Sequence, residues 1–166
     1  MDLPPPLVLP EQHELVDNGG RLYFTVDYPP KALRRHIFVA RLRAGINPDC
    51  RNLLACRQKI VDALNGRAVP CFPDDGSKLQ IALIFRIRRH NYHYINSKRS
   101  NAVKPTLLNS RITRGDIDNM VKFIMDAANE VIYGDDRQVT SLVANKIWHE
   151  DATSKGSITV AVNVVN

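Results

Sequence analysis

Apolar residues recur along this chain at two spacings, one typical of strands and one typical of helices. The segment Arg21–Tyr28 is rich in β-branched and aromatic residues and ends at a proline pair, so it predicts a strand. The run KLQIALIFRI at Lys78–Ile87 predicts a buried strand. The segments Arg137–Trp148 and Ser157–Val165 predict two further strands, which the turn EDATSKG joins.

Two other segments predict helices. Asn47–Leu64 opens with Asn-Pro-Asp, which is a capping signal, and Gly66 follows its end. From about Asn119 to Ile132 the apolar positions fall on one helical face, and Gly134 is placed to end the helix. Together with the strands, these segments predict an α+β domain built from a mixed sheet and two main helices.

The 166 residues fit a single domain. We expect a proline-rich tail over residues 1–20, the folded domain over residues 21–166, and a basic loop inserted at residues 88–111. The three cysteines form no CxxC pair, no apolar run is long enough to cross a membrane, and the start lacks the pattern of a secretory signal. These features predict a protein that is not secreted and has no membrane partner. We expect it to be cytoplasmic in a bacterial, phage or viral setting, or nuclear in a eukaryote.

Positive charge is unevenly distributed along the chain. The net charge is +6, and no acidic residue occurs between Gly76 and Gly115. Segregated charge of this kind indicates a polyanion partner, most simply nucleic acid, although a solvated, solubilising surface is the alternative. The basic residues of this window that we expect to contact DNA are Arg86, Arg88, Arg89, Lys98, Arg99, Lys104, Arg111 and Arg114. A second basic cluster contains Lys31, Arg34, Arg35, Arg41 and Arg43.

Acidic residues gather at both ends of the second predicted helix. Asp116 and Asp118 precede it, and Asp135 and Asp136 follow it. Residues two apart point the same way in an extended segment, so the first two carboxylates are expected to converge, with Asp118 as the N-cap. Convergent carboxylates are typical Mg²⁺ ligands, and Mg²⁺ activates water and neutralises charge at a phosphodiester. The alternative is that these aspartates only cap the helix and fill turns.

Lys122 lies one turn beyond Asp118 on the polar helical face. A lysine fixed there would stabilise negative charge in the transition state. Its alternative role is a surface salt bridge with Asp118 or Asp126, which would contribute little to stability.

The length of this helix bears on how the acids meet. A helix of about 14 residues is roughly 21 Å long. Asp136 lies only four residues past its end, a reach of at most about 14 Å. Asp136 therefore does not easily return to Asp116 and Asp118 of its own chain. Two such helices packed antiparallel about a two-fold axis would bring the acids together, which predicts a homodimer with two shared metal sites.

The acidic segments resemble those of the RusA family of Holliday-junction resolvases. The matching features are DIDNMVK at residues 116–122, then Asp126, then GDDRQV at residues 134–139, and Lys146 in the strand that follows. The resemblance extends from about Arg21 to the C-terminus and is most specific in Arg114–Lys146.

The resemblance implies a function and a set of site residues. Asp116, Asp118 and Asp136 would be the catalytic metal ligands, with Asp135 beside them and Lys122 supporting catalysis. The implied activity is Mg²⁺-dependent nicking of opposed strands in a four-way DNA junction by a homodimer, with Mn²⁺ able to substitute. Such an enzyme acts on branched DNA in recombination and repair. The resemblance also adds Lys146 to the residues expected to contact DNA.

The chain departs from the family pattern before the acid pair. The family has a run of arginines there, of which this chain keeps Arg111 and Arg114, and about twenty extra residues precede them. Aromatic residues of the insertion are candidates to stack on exposed DNA bases, although packing within the loop is the alternative. They are His90, Tyr92, His93 and Tyr94.

Two other functions stay open on the sequence alone. One is a nucleic-acid-binding module without catalysis, against which the intact acids argue, because a pure binder would gain affinity by losing them. The other is a metal-dependent nuclease that acts on flaps, loops or RNA, which the carboxylates do not distinguish from a resolvase.

Overall fold

The secondary structure follows the predicted apolar segments closely. The computed structural model of the protein describes residues 16–17, 20–34, 37–39, 44–46, 48–95 and 102–165. Within these ranges the helices are α1 (Cys50–Ala63) and α2 (Ile117–Ala128). The strands are β1 (Val16–Asp17), β2 (Arg21–Val26), β3 (Ile37–Val39), β4 (Ala44–Ile46), β5 (Lys78–Ile87), β6 (Val139–Trp148) and β7 (Gly156–Val165).

The larger sheet has the strand order β1-β2-β7-β5-β6. Strands β5 and β6 pair in parallel, whereas β5 with β7, β7 with β2, and β2 with β1 pair antiparallel. In the centre of the sheet, Leu83 lies between Ala144 of β6 and Val160 of β7. The parallel pair needs a crossover, and α2 lies within it. The result confirms the predicted α+β fold with a mixed sheet.

Both helices pack on one face of this sheet. Inward residues of α1 and α2, including Ile60, Phe123 and Ile124, form one buried cluster with inward residues of β2, β5 and β7 such as Phe24 and Leu83. Helix α1 contacts both α2 and β2, and α2 also contacts β6. The helical spacing of the apolar residues in α2 therefore fixes which side of the helix faces the sheet.

The second helix begins and ends earlier than predicted. Asp116 has extended backbone angles of φ −80° and ψ 137°, and its carbonyl accepts the hydrogen bond of the Met120 amide, so the helix starts at Ile117. At the other end Asn129 leaves the helical conformation. The apolar residues Val131 and Ile132 instead accept backbone hydrogen bonds from residues 71 and 72. The predicted end at Ile132 is wrong, because this pairing replaces the last helical turn.

The first helix and the third long strand also start later than predicted. Helix α1 begins at Cys50, three residues after the predicted start at Asn47, because residues 48–49 form a turn. The Asp49 carboxylate accepts hydrogen bonds from the Arg34 amide and guanidinium and makes no capping bond. The segment Asp136–Gln138 forms a 3-10 turn, so β6 starts at Val139.

Parts of the prediction lie outside the described residues. These include most of the N-terminal tail, and Lys98 and Arg99 of the insertion. The described part of the insertion contains 3-10 turns at Asn91–His93 and Pro105–Leu107 and a bridge between Tyr94 and Val103. Among the described residues, no helix is sufficiently long and apolar to pass through a bilayer.

Candidate active site

The first acid pair lies at the N-terminus of α2. Asp116 occupies the N-cap position and Asp118 lies inside the first turn, so the prediction of Asp118 as N-cap is wrong. The Asp116 side chain makes no capping hydrogen bond, and both aspartates are exposed. The free amides of a helix N-terminus stabilise nearby negative charge. Both carboxylates lie at the start of α2 and are exposed to solvent, where an external cation has access.

Gly115 sets the backbone that presents Asp116. Its φ of +67° lies in the left-handed region that disfavours other residues. A Cβ added there would stand 2.5 Å from the terminal methyl carbon of Met120, a side chain that is buried in the core. The turn before the acid pair therefore depends on glycine for its conformation and for close packing against α2.

Lys146 anchors the same turn to the sheet. Its Nζ donates a hydrogen bond of 2.7 Å to the carbonyl oxygen of Gly115. The residue is the eighth of β6 and only partly exposed. This geometry supports a positioning role for Lys146, because its partner Gly115 directly precedes Asp116. The DNA contact expected of Lys146 stays a prediction.

Lys122 lies on the outer side of α2. It is exposed, whereas the neighbouring Met120 and Phe123 are buried. Among the ion pairs of the described residues, none joins Lys122 to Asp118. The ammonium group of Lys122 is therefore available to a ligand that approaches the acid pair from solvent.

Asp136 lies near the opposite end of α2. It is exposed and opens the 3-10 turn before β6. Tyr133 connects this region to α2. Its hydroxyl donates a 2.7 Å hydrogen bond to the carbonyl of Met125 in the last turn of the helix. Burial raises the pKa of Tyr133, and the negative charges of Asp136 and Asp126 raise it further. Asp136 and the C-terminal turn of α2 are thus neighbours.

Asp135 has structural partners on both of its oxygens. Oδ1 accepts from the Arg137 amide at 2.8 Å and from Arg137 Nε at 2.9 Å, and Oδ2 accepts from Arg137 Nη2 at 2.6 Å. Gln138 completes a capping box, since its Oε1 accepts from the Asp135 amide at 3.0 Å. Hydrogen bonds from Arg137 hold the pKa of Asp135 well below its usual range. The geometry supports capping rather than metal binding for Asp135.

The two acidic ends are separated by most of the length of β6. Gly115 is bonded to Lys146, near the carboxyl end of this strand, whereas Asp136 lies three residues before its first residue, Val139. From Val139 to Lys146 an extended strand rises about 23 Å. Within the described ranges, no three His, Cys, Asp or Glu side chains come together as a metal site. Within the described residues, the two acidic ends of α2 are therefore separate.

The predicted basic residues divide into two groups. Arg86 donates to the Thr159 hydroxyl, and Arg89 donates to the carbonyls of Leu107 at 3.0 Å and Leu108 at 2.9 Å, so both support the fold. The others that are described are exposed: Arg88, Lys104, Arg111 and Arg114. Since Arg88 directly follows β5 and Arg114 directly precedes Gly115, the exposed group includes residues at the edge of the sheet where Asp116 lies.

The sequence did not predict two residues that hold the segments around the site in place but have no catalytic role. Trp148 donates from Nε1 to the carbonyl of Ser110 at 2.8 Å and so ties the insertion to the end of β6. Gln138 is buried and donates from Nε2 to the carbonyl of Pro73 at 3.0 Å. The one sequence signal for Gln138 was its place in the GDDRQV motif. The spacing of apolar residues did not indicate that Trp148 holds the insertion against β6.

Comparison with known proteins finds one family that covers most of this chain. The family model described as Endodeoxyribonuclease RusA matches residues 27–162, which include both helices, β5, β6 and both acidic ends. The family so described is a class of endodeoxyribonucleases. The chain belongs to the RusA family, which confirms the resemblance seen in its motifs. The family implies Holliday-junction resolvase activity on branched DNA, and its nucleases are generally dependent on a divalent metal.

A curated bacterial protein is also similar to this chain. It is the "Uncharacterized protein YqaN" of Bacillus subtilis (strain 168), with 39% identity over 56 residues. The match covers 34% of this chain and 39% of the length of that protein. Since the name of this relative gives no activity, it adds no functional statement to the family assignment.

We predict that Lys146→Met destabilises the protein. The substitution leaves the Gly115 carbonyl without its charged donor, and such hydrogen bonds contribute roughly 1.5–3 kcal/mol to the free energy of unfolding. Urea unfolding measures the change, and Lys59→Met, at an exposed position of α1, is the matched control. If Lys146 instead contacts DNA, the variant keeps its stability. The slope of the logarithm of its DNA-binding constant against the logarithm of salt concentration then becomes shallower by about one.

We also predict that substitutions of Asp135 and Asp136 have different effects, the first on stability and the second on cleavage. Asp135→Ala should lower the free energy of unfolding, because it removes the cap and the ion pair with Arg137. Asp136→Ala should leave unfolding nearly unchanged and abolish metal-dependent cleavage. Because folding lowers the pKa of Asp135, its stabilisation is present above the unfolded value of about 4 and is lost as pH falls below it. An Asp135→Ala variant with normal stability and no cleavage would show instead that Asp135 is a ligand.

Proposed function

We propose that this protein is a Mg²⁺-dependent, structure-selective DNA endonuclease that resolves four-way junctions by paired nicks, with roles in recombination and repair. Mn²⁺ is expected to substitute for Mg²⁺. The observation that carries the proposal is the pair Asp116 and Asp118, exposed at the N-terminus of α2 with no capping bond on Asp116. A structural use of these acids would instead bind their oxygens to neighbouring donors, as happens at Asp135.

The complete site is proposed to form between two copies of the chain. Asp136 belongs to the opposite acidic end, which β6 separates from Asp116 in one chain. Two α2 helices packed antiparallel about a two-fold axis place Asp116 and Asp118 of one subunit beside Asp136 of the other. The symmetry creates two equivalent sites in each homodimer. Two sites match a reaction that cuts two opposed strands.

The donor set fits a hard divalent cation. Asp116, Asp118 and the partner subunit's Asp136 offer carboxylate oxygens, which are the ligands that Mg²⁺ prefers alongside water. When bound, such a cation activates water and neutralises charge on the attacked phosphodiester. The exposed ammonium group of Lys122, one turn beyond Asp118, would stabilise the extra negative charge of the phosphate in the transition state.

The exposed basic residues complete the substrate surface. Arg88, Lys104, Arg111 and Arg114 have no acidic neighbour along the chain from Gly76 to Gly115. Each phosphate contact of this kind adds affinity that falls with salt. Backbone contacts of the same kind form on any DNA, so selectivity for a branch must come from the spacing of the two sites and from contacts to bases.

We predict that the purified protein nicks an immobile four-way junction in Mg²⁺ and leaves linear duplex intact. Asp118→Asn should reduce cleavage by more than about 100-fold, since even outer-shell partners of metal ligands contribute 10–100-fold. Asp62→Asn, which removes an exposed aspartate from α1, is the matched control and should cleave normally.

Two outcomes would contradict the proposal. Junction binding without any metal-dependent cleavage would make the protein a nucleic-acid-binding module. Equal cleavage of junctions, flaps and single-stranded loops would make it a general nuclease for branched DNA.

A further inference from the structure

Aromatic rings of the insertion and of β6 stack into one cluster. Tyr92 lies parallel to His90, with ring centroids 5.3 Å apart and an interplanar angle of 11°. His90 in turn meets the edge of Trp148 at 6.2 Å. His93 packs against both, at 4.5 Å from Tyr92 and 5.1 Å from Trp148. We call this group of four rings the ring cluster.

Exposure divides the four candidate aromatics of the insertion. His93 is 2% exposed and Tyr94 is 3% exposed, so these two pack within the loop and reach no external base. Tyr92 is 62% exposed and has His90 behind it. Of the two interpretations that the sequence left open, packing holds for His93 and Tyr94, whereas Tyr92 is accessible to an external ring.

Hydrogen bonds and packing hold the rings beneath Tyr92. Trp148 is bonded to the carbonyl of Ser110, and the Arg89 guanidinium lies 5.3 Å from the centre of the Trp148 ring while it donates to residues 107 and 108. The Lys104 amide donates to the carbonyl of His93 at 2.8 Å, which closes the loop behind the cluster. An aromatic surface held in place before binding loses little conformational entropy when a ligand stacks on it.

The ring cluster lies at the same edge of the sheet as the first acid pair. Trp148 is the last residue of β6, and Lys146, two residues earlier, binds the carbonyl of Gly115 next to Asp116. Exposed basic side chains, including Arg88 and Lys104, belong to the same insertion. An exposed aromatic face among cations, on a segment without acidic residues, suits a nucleic acid base attached to a phosphate backbone.

We propose that Tyr92, supported by His90, is a stacking platform for an unpaired or unstacked DNA base beside the cleavage site. The inference rests on the proposed function for its substrate class and adds the feature of the substrate that is read. In a duplex arm each base pair is stacked on both sides, whereas the pairs that flank an open branch point have one unstacked face that an aromatic ring can cover. The platform therefore favours branched over linear DNA.

The test is binding without metal, so that no cleavage is needed for the readout. A four-way junction, a matched duplex and a single strand carry 2-aminopurine, whose fluorescence falls when it stacks, at the branch point or the equivalent position. Tyr92→Ala should weaken junction binding roughly 5- to 150-fold and remove the fluorescence change, because aromatic stacking contributes on this scale for each base. Tyr92→Phe, which keeps the ring, should bind as the wild type does.

The controls separate stacking from other effects. Leu108→Ala removes another exposed apolar side chain of the insertion, 50% exposed, and should leave junction binding unchanged. Wild-type junction affinity in Tyr92→Ala, or an equal loss on junction and duplex, would overturn the inference. The proposed function is tested separately. A protein that stacks a base on Tyr92 but never cleaves the junction would support the stacking platform and contradict the proposed nuclease activity.

Discussion

The parallel pairing of β5 with β6 determines where every acid of the candidate site lies. A parallel pair requires a crossover, and α2 lies in the segment that connects the end of β5 to the start of β6. The helix must therefore run back along one face of the sheet. Its N-terminus consequently lies at the carboxyl edge of the pair, where Lys146 holds the carbonyl of Gly115 at 2.7 Å. Its C-terminus lies at the other edge, beside Asp136. The separation of the acids is a property of the topology, and no side-chain movement removes it.

Because the acids are separated in one chain, the proposed dimer would be needed to bring them together. A chain that carried all its metal ligands at one edge would be complete alone and would have no need of a two-fold axis. Here Asp116 and Asp118 present their carboxylates to solvent at one edge, and Asp136 presents its carboxylate at the other. A partner subunit would complete both partial sites at once. Assembly and competence for cutting two strands would then be the same event.

The sequence predicted the elements well and the ends of the helices less well. Strand β5 matches its prediction, because a continuous apolar run leaves little freedom in its bounds. The start of α2 shifted because the extended Asp116 depends on Gly115 at φ +67° and on Lys146, which no helical periodicity encodes. The roles of Asp135 and Arg89 were also not predictable, since each is set by partners that only the folded chain brings near.

The most direct test of the shared site is complementation between two inactive variants. Asp118→Asn and Asp136→Asn are each purified, then mixed under conditions that exchange subunits, and assayed on a junction in Mg²⁺. In a shared arrangement each mixed dimer has one site with both substitutions and one intact site, so nicking returns to roughly a quarter of the wild-type rate. A mixture of Asp116→Asn with Asp118→Asn, whose substitutions fall in different sites, should stay inactive. If the first mixture also stays inactive although subunits exchange, each site belongs to a single chain and the proposed shared site does not exist.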